Sequence, residues 1–462
     1  MNKKILYIII FCFSISNSFS QIVVSTTLEE AINNALTKSS SIKNAALEIE
    51  KLQLQEKGIW NKYIPRIEAS AEYLYFDNNL SVNLPASSII PIPGLPVFDG
   101  KTSIDNYGNI FNAGIMAKTI LFTGFQIENG AKAVKEKTKG TQYLKESEKD
   151  GIIKEVINTF DQLSLLTAIE KLINDSIIRL ETEIKRVTRA IEQGLAIPYD
   201  RDKIKLASLE LDSKKLELEG KRKLVYAKLT YLTGYNQAEI EQVNYLLVPY
   251  IITNQNLNIE NKQEIKALES FKSASEFLLK KEKGTYLPTL GAFGGVSYTS
   301  LFDANATTQV ITGINQALYL GLNDLTISNN WIIGAGLKWE LFAGFEREHK
   351  IHEAKINIEQ LQNQIDDTKE KLELLLENNY INYTVLNQKL DITAQQDKVA
   401  SNNLKLAVKQ YKEGLITISE RLEAENDSYK SAVAKVNTII EQRLAAIETI
   451  IATGELSKKL NK

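Results

Sequence analysis

Residues 341–345 read Leu-Phe-Ala-Gly-Phe, and residues 121–125, 220 positions earlier, read Leu-Phe-Thr-Gly-Phe. Further matches follow the same order: Gly194-Leu195 with Gly414-Leu415 and Thr233-Gly234 with Thr453-Gly454 at offset 220, and 63–67 with 286–290 at offset 223. Matches in one order at a nearly constant offset predict two structurally equivalent halves, 21–245 and 246–462. This period is too long for a solenoid, so each half is expected to be a sizeable unit.

The N-terminus has the pattern of a secretory signal peptide over residues 1–20. Lys3 and Lys4 precede an apolar run over 5–13, and small residues follow up to Ser20. Cys12 is the only cysteine in the chain, so the exported protein is expected to contain none. Disulfides, thiolate zinc sites and cysteine nucleophiles are thereby excluded. The net charge of -2 gives no electrostatic reason to expect nucleic acid.

Four segments alternate apolar and polar residues, which predicts strands over about 66–77, 107–122, 289–301 and 330–342. Segments of about ten such residues are typical of a membrane β-barrel wall, with the apolar face towards lipid. The polar face would then line the lumen, and the candidate lumen residues are Arg66, Glu68, Glu72, Lys118, Lys338 and Glu340. A soluble β-sandwich alternates identically and stays open on this pattern alone. Residues 77–106 and 302–328 are expected to form exposed loops.

Four strands are too few to close a barrel, because about eight is the smallest number that spans a bilayer. An open sheet edge cannot face lipid, since each unpaired backbone group there costs several kcal/mol. If these strands enter a membrane, several subunits must share one barrel.

Two long helical hairpins are expected. No Gly or Pro occurs between Gly344 and Gly414, and residues 126–193 mirror that segment less cleanly, with Gly130, Gly140 and Gly151 inside. Apolar residues from position 351 to 375 follow alternating steps of three and four, which predicts a coiled coil. The hairpins should turn near 194–200 and 414–420. Pro198 suits a first helical position and Asp200 a first turn, while Thr417 and Glu420 fit a capping box.

The sequence resembles the TolC-like outer-membrane efflux family in residues 28–36, 63–65, 341–344 and 411–425. The resemblance implies an α+β membrane protein: a homotrimer with a shared twelve-stranded β-barrel in outer-membrane lipid and a periplasmic α-barrel of coiled-coil helices. It also implies docking to a periplasmic adaptor and an inner-membrane transporter. The tip residues implicated in docking or gating are Gly194, Leu195, Pro198, Asp200, Gly414, Leu415, Thr417 and Glu420.

The predicted function is therefore a channel subunit in the outer membrane of a Gram-negative-type bacterium, for efflux or for protein secretion. An enzyme is not expected, because no phosphate-binding loop, nucleophile elbow or zinc-protease motif occurs. No cofactor or metal is predicted, and a charged helix face accounts for His349 and His352. The alternative is a periplasmic coiled-coil scaffold that binds partners without forming a pore.

Overall fold

The computed structural model describes residues 28–83, 101–252, 257–308, 316–317, 319–454 and 456, so the predicted signal peptide lies outside it. The first half contains α1 (Leu28–Lys38), α2 (Ser40–Trp60), a 3₁₀ turn (Asn61–Tyr63), β1 (Arg66–Asn83), β2 (Lys101–Phe122), α3 (Gln126–Glu192), α4 (Pro198–Thr233) and α5 (Gln237–Gln242). The second half contains α6 (Gln263–Lys283), a 3₁₀ turn (Gly284–Tyr286), β3 (Thr289–Thr308), β4 (Tyr319–Lys338), α7 (Glu346–Lys412) and α8 (Ile418–Thr453).

The two halves repeat the same elements at the offsets seen in the sequence. Helices α3 and α7 each have 67 residues, and α4 and α8 each have 36. Arg66 pairs with Lys118 in the first strand pair, and Thr289 pairs with Lys338 in the second. These partners are related by offsets of 223 and 220, so the repeat extends to the backbone register.

The strands form one antiparallel sheet in the order β1-β2-β3-β4. All four strands reach further into the predicted loops 77–106 and 302–328 than the alternation indicated. The polar residues there are typical of turns, but some of their side chains bond across the strands. Asn106 Nδ2 donates to Asn78 Oδ1 at 2.7 Å. In contrast, β4 ends at Lys338 rather than near 342, because its neighbour β3 begins at Thr289, the partner of Lys338.

The described residues divide into two compact units, and each half contributes to both. One unit contains residues 28–43, 147–260 and 372–456, apart from the undescribed positions, and its core includes Ala31, Val156, Phe160, Leu229 and Ile450. The other contains residues 44–146 and 261–371, again apart from undescribed positions, and holds the sheet. The sequence repeats are therefore not the compact units, because each places its strands in one unit and its helix turn in the other. None of the helices in the described residues combines the length and hydropathy required to cross a membrane.

Candidate functional site: sheet faces and helix tips

One face of the sheet is apolar and uncovered. The register places Ile67 opposite Ala117 and Trp331 opposite Val296, so the apolar positions of neighbouring strands share this face. Ile333 and Trp331 are 80% and 73% exposed. A soluble sandwich buries such a face against a second sheet. A contiguous exposed apolar surface instead indicates contact with lipid or with protein.

The opposite face holds five of the six candidate lumen residues: Arg66, Glu68, Glu72, Lys118 and Lys338. Lys118 Nζ lies 3.9 Å from Glu68 Oε2, and both side chains are exposed. Glu340, the sixth candidate, was predicted to lie on the same face, but it lies beyond the end of β4. Its backbone oxygen accepts a hydrogen bond from Arg347 Nη2 at 3.0 Å.

Each helical hairpin turns at a glycine with left-handed backbone. Gly194 has φ +74° and Gly414 has φ +72°, a conformation that side chains with a Cβ rarely adopt. The amides of Leu195 and Leu415 donate to carbonyls five residues back, at 2.8 and 2.9 Å, as in a Schellman motif. This geometry leaves Leu195 77% and Leu415 71% exposed at the two tips.

The returning helices begin differently at the two tips. Pro198 occupies the first turn of α4, where the preceding Ile197 makes no side-chain cap, and Asp200 is the acidic residue of that turn. At the second tip the predicted capping box is confirmed: Glu420 N donates to Thr417 Oγ1 at 3.3 Å, and Thr417 N donates to Glu420 Oε2 at 2.7 Å. The backbone N–H of Thr417 lowers the pKa of the Glu420 carboxyl.

An apolar cluster joins the two hairpins close to their tips. It buries Val187 of α3, Ile204 of α4 and Ile418 of α8 together. Lys203 Nζ also donates to Ser419 Oγ at 2.7 Å. The two tips therefore form one surface, although their turns are 220 positions apart in the sequence.

A charge cluster near the tips, in which Arg421 and Glu425 are buried, was not predicted from the sequence. Glu425 lies within α8, and Arg179 Nη2 of α3 contacts its Oε1 at 2.6 Å. Arg421 Nη2 lies 3.4 Å from Glu425 Oε2, and burial lowers the pKa of the Arg421 guanidinium. The four-residue spacing of Arg421 and Glu425 was the only sequence signal, and such pairs are common on solvated helix surfaces.

No metal centre is formed by the residues that the structure describes. Within them, His, Cys, Asp and Glu make no group of three or more that could hold an ion. His349 and His352 are both exposed on α7.

Residues 279–453 match the outer membrane efflux protein family. The family resemblance predicted from the sequence is thereby confirmed. A search of curated protein sequences finds no match.

Solved structures match the fold over most of the chain. The Campylobacter jejuni CmeC outer membrane channel matches with a TM-score of 0.70 and 15% identity, over 92% of this chain and 85% of that one. The Vibrio cholerae outer membrane protein VceC gives 0.69 and 15%, over 92% and 96%. A membrane protein from Pseudomonas aeruginosa gives 0.71 and 13%, over 92% and 93%. The predicted α+β class is confirmed, with a four-stranded sheet and long helices.

Proposed function

We propose that this protein is one subunit of a homotrimeric outer-membrane exit duct that conducts exported substrates passively. The observation that supports it best is the sheet, whose apolar face is exposed. A lipid-facing wall explains that face, whereas a soluble scaffold would leave it in water at a cost of roughly 25 cal/mol per Å².

Closure of the sheet requires several copies, and the resemblance to the efflux family implies three. Both edge strands, β1 and β4, pair on one side only in the described chain. Three copies of a four-stranded sheet give twelve strands, which lies within the range of known membrane barrels. Closure would remove every open edge, as the lipid environment requires.

The location and partners follow from the family and the two tips. We expect the signal peptide to direct export, the barrel to lie in outer-membrane lipid, and the helices to extend into the periplasm. The exposed Leu195 and Leu415 offer apolar contacts at one surface to a periplasmic adaptor or an inner-membrane transporter. Because the matched family consists of efflux proteins, efflux is favoured over protein secretion.

Gating would act at the same tips. Gly194, Pro198 and Asp200 shape one tip, and Gly414, Thr417 and Glu420 shape the other. Moving α8 away from α3 would separate Glu425 from Arg179, which are held at 2.6 Å. The closed duct would thus be held by an ion pair between helices as well as by apolar packing.

Purified protein in planar lipid bilayers tests the proposal. Single-channel conductance is expected, together with extraction from outer membranes by detergent and not by salt. A protein that washes off in salt and never conducts would instead be a periplasmic scaffold.

A second experiment tests docking separately from conduction. Changing Leu195 and Leu415 to Ser should abolish efflux in cells while conductance in bilayers is unchanged. Leu246→Ser is the control, because Leu246 is similarly exposed but lies away from both turns in the sequence. Normal efflux in the double tip variant would refute docking at these leucines.

A further inference from the structure

Within the sheet, the two equivalent halves of the chain meet at one strand pair, which we call the inner junction. There, β2 of the first half pairs with β3 of the second half, with Lys118 opposite Phe293 and Met116 opposite Gly295. In a closed ring of repeats, the same kind of strand pairing must recur between one copy and the next, which we call the outer junction.

The sequence offsets relate each residue at the inner junction to its equivalent at the outer junction. Residues of β2 correspond to β4 at an offset of 220, and residues of β1 correspond to β3 at 223, as the strand-pair registers show. A hydrogen bond follows the same relation: Thr119 Oγ1 donates to Tyr63 O at 2.7 Å, and Trp339 Nε1 donates to Tyr286 O at 3.1 Å. The equivalence is therefore structural as well as sequential.

Two features of the single chain show what the outer junction lacks. Residues 119–122 continue β2 only by pairing with β3, and the equivalent residues 339–342 are not strand. Ser270 of α6 is buried, whereas its equivalent on α2, Leu47, is 61% exposed. An exposed leucine at the position of a buried residue indicates that a partner covers α2.

Resting on the proposed function, we propose that β4 of one subunit pairs with β1 of the next in the register of the β2–β3 junction. Lys338 then lies opposite Ser70 of the partner subunit, Gly336 opposite Glu72 of the partner subunit, and Gly334 opposite Leu74 of the partner subunit. On the other face, Ala335 lies opposite Tyr73 of the partner subunit. Residues 339–342 become strand when this pairing forms.

Charge complementarity supports this register. Lys338 lies diagonally between Glu68 and Glu72 of the partner subunit, at the i±2 positions on the same face. Its cross-strand partner within the chain is the uncharged Thr289. In the β2–β3 pair, Phe293 at the position of Ser70 is flanked by Gly291 and Gly295, so Lys118 has no carboxylate at the β3 positions equivalent to Glu68 and Glu72. A slip by one residue would place Lys338 on the apolar face.

The turn beside these strands differs between the two junctions. Gly124 and Gly284 approach each other backbone to backbone at the inner junction. Asn61 stands at the position of Gly284, and its Cβ does not permit the same approach to Gly344 of a neighbouring copy.

Cysteine cross-linking in the full-length protein tests the register. In a Cys12→Ala background, which contains no other cysteine, S70C/K338C should give a covalent trimer on denaturing gels after mild oxidation. The slipped pair E72C/K338C should give roughly ten-fold less, because diagonal Cα atoms about 7–8 Å apart exceed disulfide reach. The within-chain pair K118C/F293C is the positive control, and it should close a bridge without joining subunits.

The outcomes separate this register from the proposed function. Native trimers in which E72C/K338C cross-links and S70C/K338C does not would overturn the register and leave the trimer intact. If S70C/K338C fails to assemble, Y73C/A335C tests the same register on the opposite face, and no covalent trimer from that pair overturns it. Absence of any trimer from the unsubstituted protein on native gels would refute the proposed function as well.

Discussion

Arg443 is the residue whose replacement should most disturb the helical unit. Its Nε donates to Asp161 Oδ1 at 2.8 Å, and its Nη1 donates to Val248 O at 2.6 Å. The Tyr245 hydroxyl donates to the same carboxylate, and burial raises the pKa of Tyr245, which keeps the hydroxyl a donor. Arg443 thereby connects α8 to α3 and to the segment between α5 and α6. The change Arg443→Leu removes these contacts.

The expected loss follows from burial. The side chains of Arg443 and Asp161 are 9% and 2% exposed, so removal of the guanidinium leaves a buried carboxylate without its counter-charge. Breaking such a pair costs about 3–5 kcal/mol. Lys389 and Glu441 form a matched control at 3.3 Å, since they also join α8 to a neighbouring helix but are half-exposed. Breaking an exposed pair costs about 0–1 kcal/mol.

Hydrogen exchange measured by mass spectrometry can resolve this difference. A loss of about 3 kcal/mol accelerates exchange through local opening by roughly 150-fold, and 1 kcal/mol by about 5-fold. Arg443→Leu should show the first effect in α8 and near Val248, and Lys389→Leu at most the second. Adding Asp161→Leu to Arg443→Leu should restore much of the protection, because no unpaired charge remains. Equal effects of the two single changes would refute the reasoning.

Three further predictions concern the tip cap and the sheet faces. Thr417→Ala should weaken the start of α8 by about 1 kcal/mol, seen as faster exchange in its first turn; an unchanged rate would contradict the role of the cap. Because the folded pKa of Glu420 is lowered, its contribution to this cap is present above the ordinary carboxyl pKa and lost as pH falls through the folded value. Exchange rates corrected for intrinsic pH effects should show this loss, and Glu420→Gln should remove the pH dependence. Ile333→Arg places a charge on the lipid face and should reduce assembled protein in outer membranes, at about 2–4 kcal/mol near the bilayer midplane. Ile332→Arg, on the opposite face, should alter ion selectivity instead; equal assembly defects would contradict the assignment of faces.

Local patterns predicted much of the candidate sites. Alternation assigned the strand faces correctly among the described residues, as the pairing of Arg66 with Lys118 and of Thr289 with Lys338 shows, because side-chain direction in a strand has a period of two. Gly194 and Gly414 marked the turns, because few other residues tolerate their backbone conformation. The Thr417–Glu420 cap was predictable from the sequence because all its atoms lie within four residues.

Contacts between distant residues were not predictable in this way. The pair formed by Arg179 and Glu425 spans 246 positions, and nothing local in either helix distinguishes these charges from solvated ones. The predicted strand ends were also wrong. Asn78 and Asn106 are residue types typical of turns, but here their side chains bond to each other across the strands.

The sequence by itself determined the duplicated plan, the two faces of each strand and the turns of the helices, because periodicity and capping act over a few residues. The tertiary structure alone decided which charges are buried as pairs and which strand edges are left open. Those properties depend on distances between residues far apart in the chain, which no local pattern records.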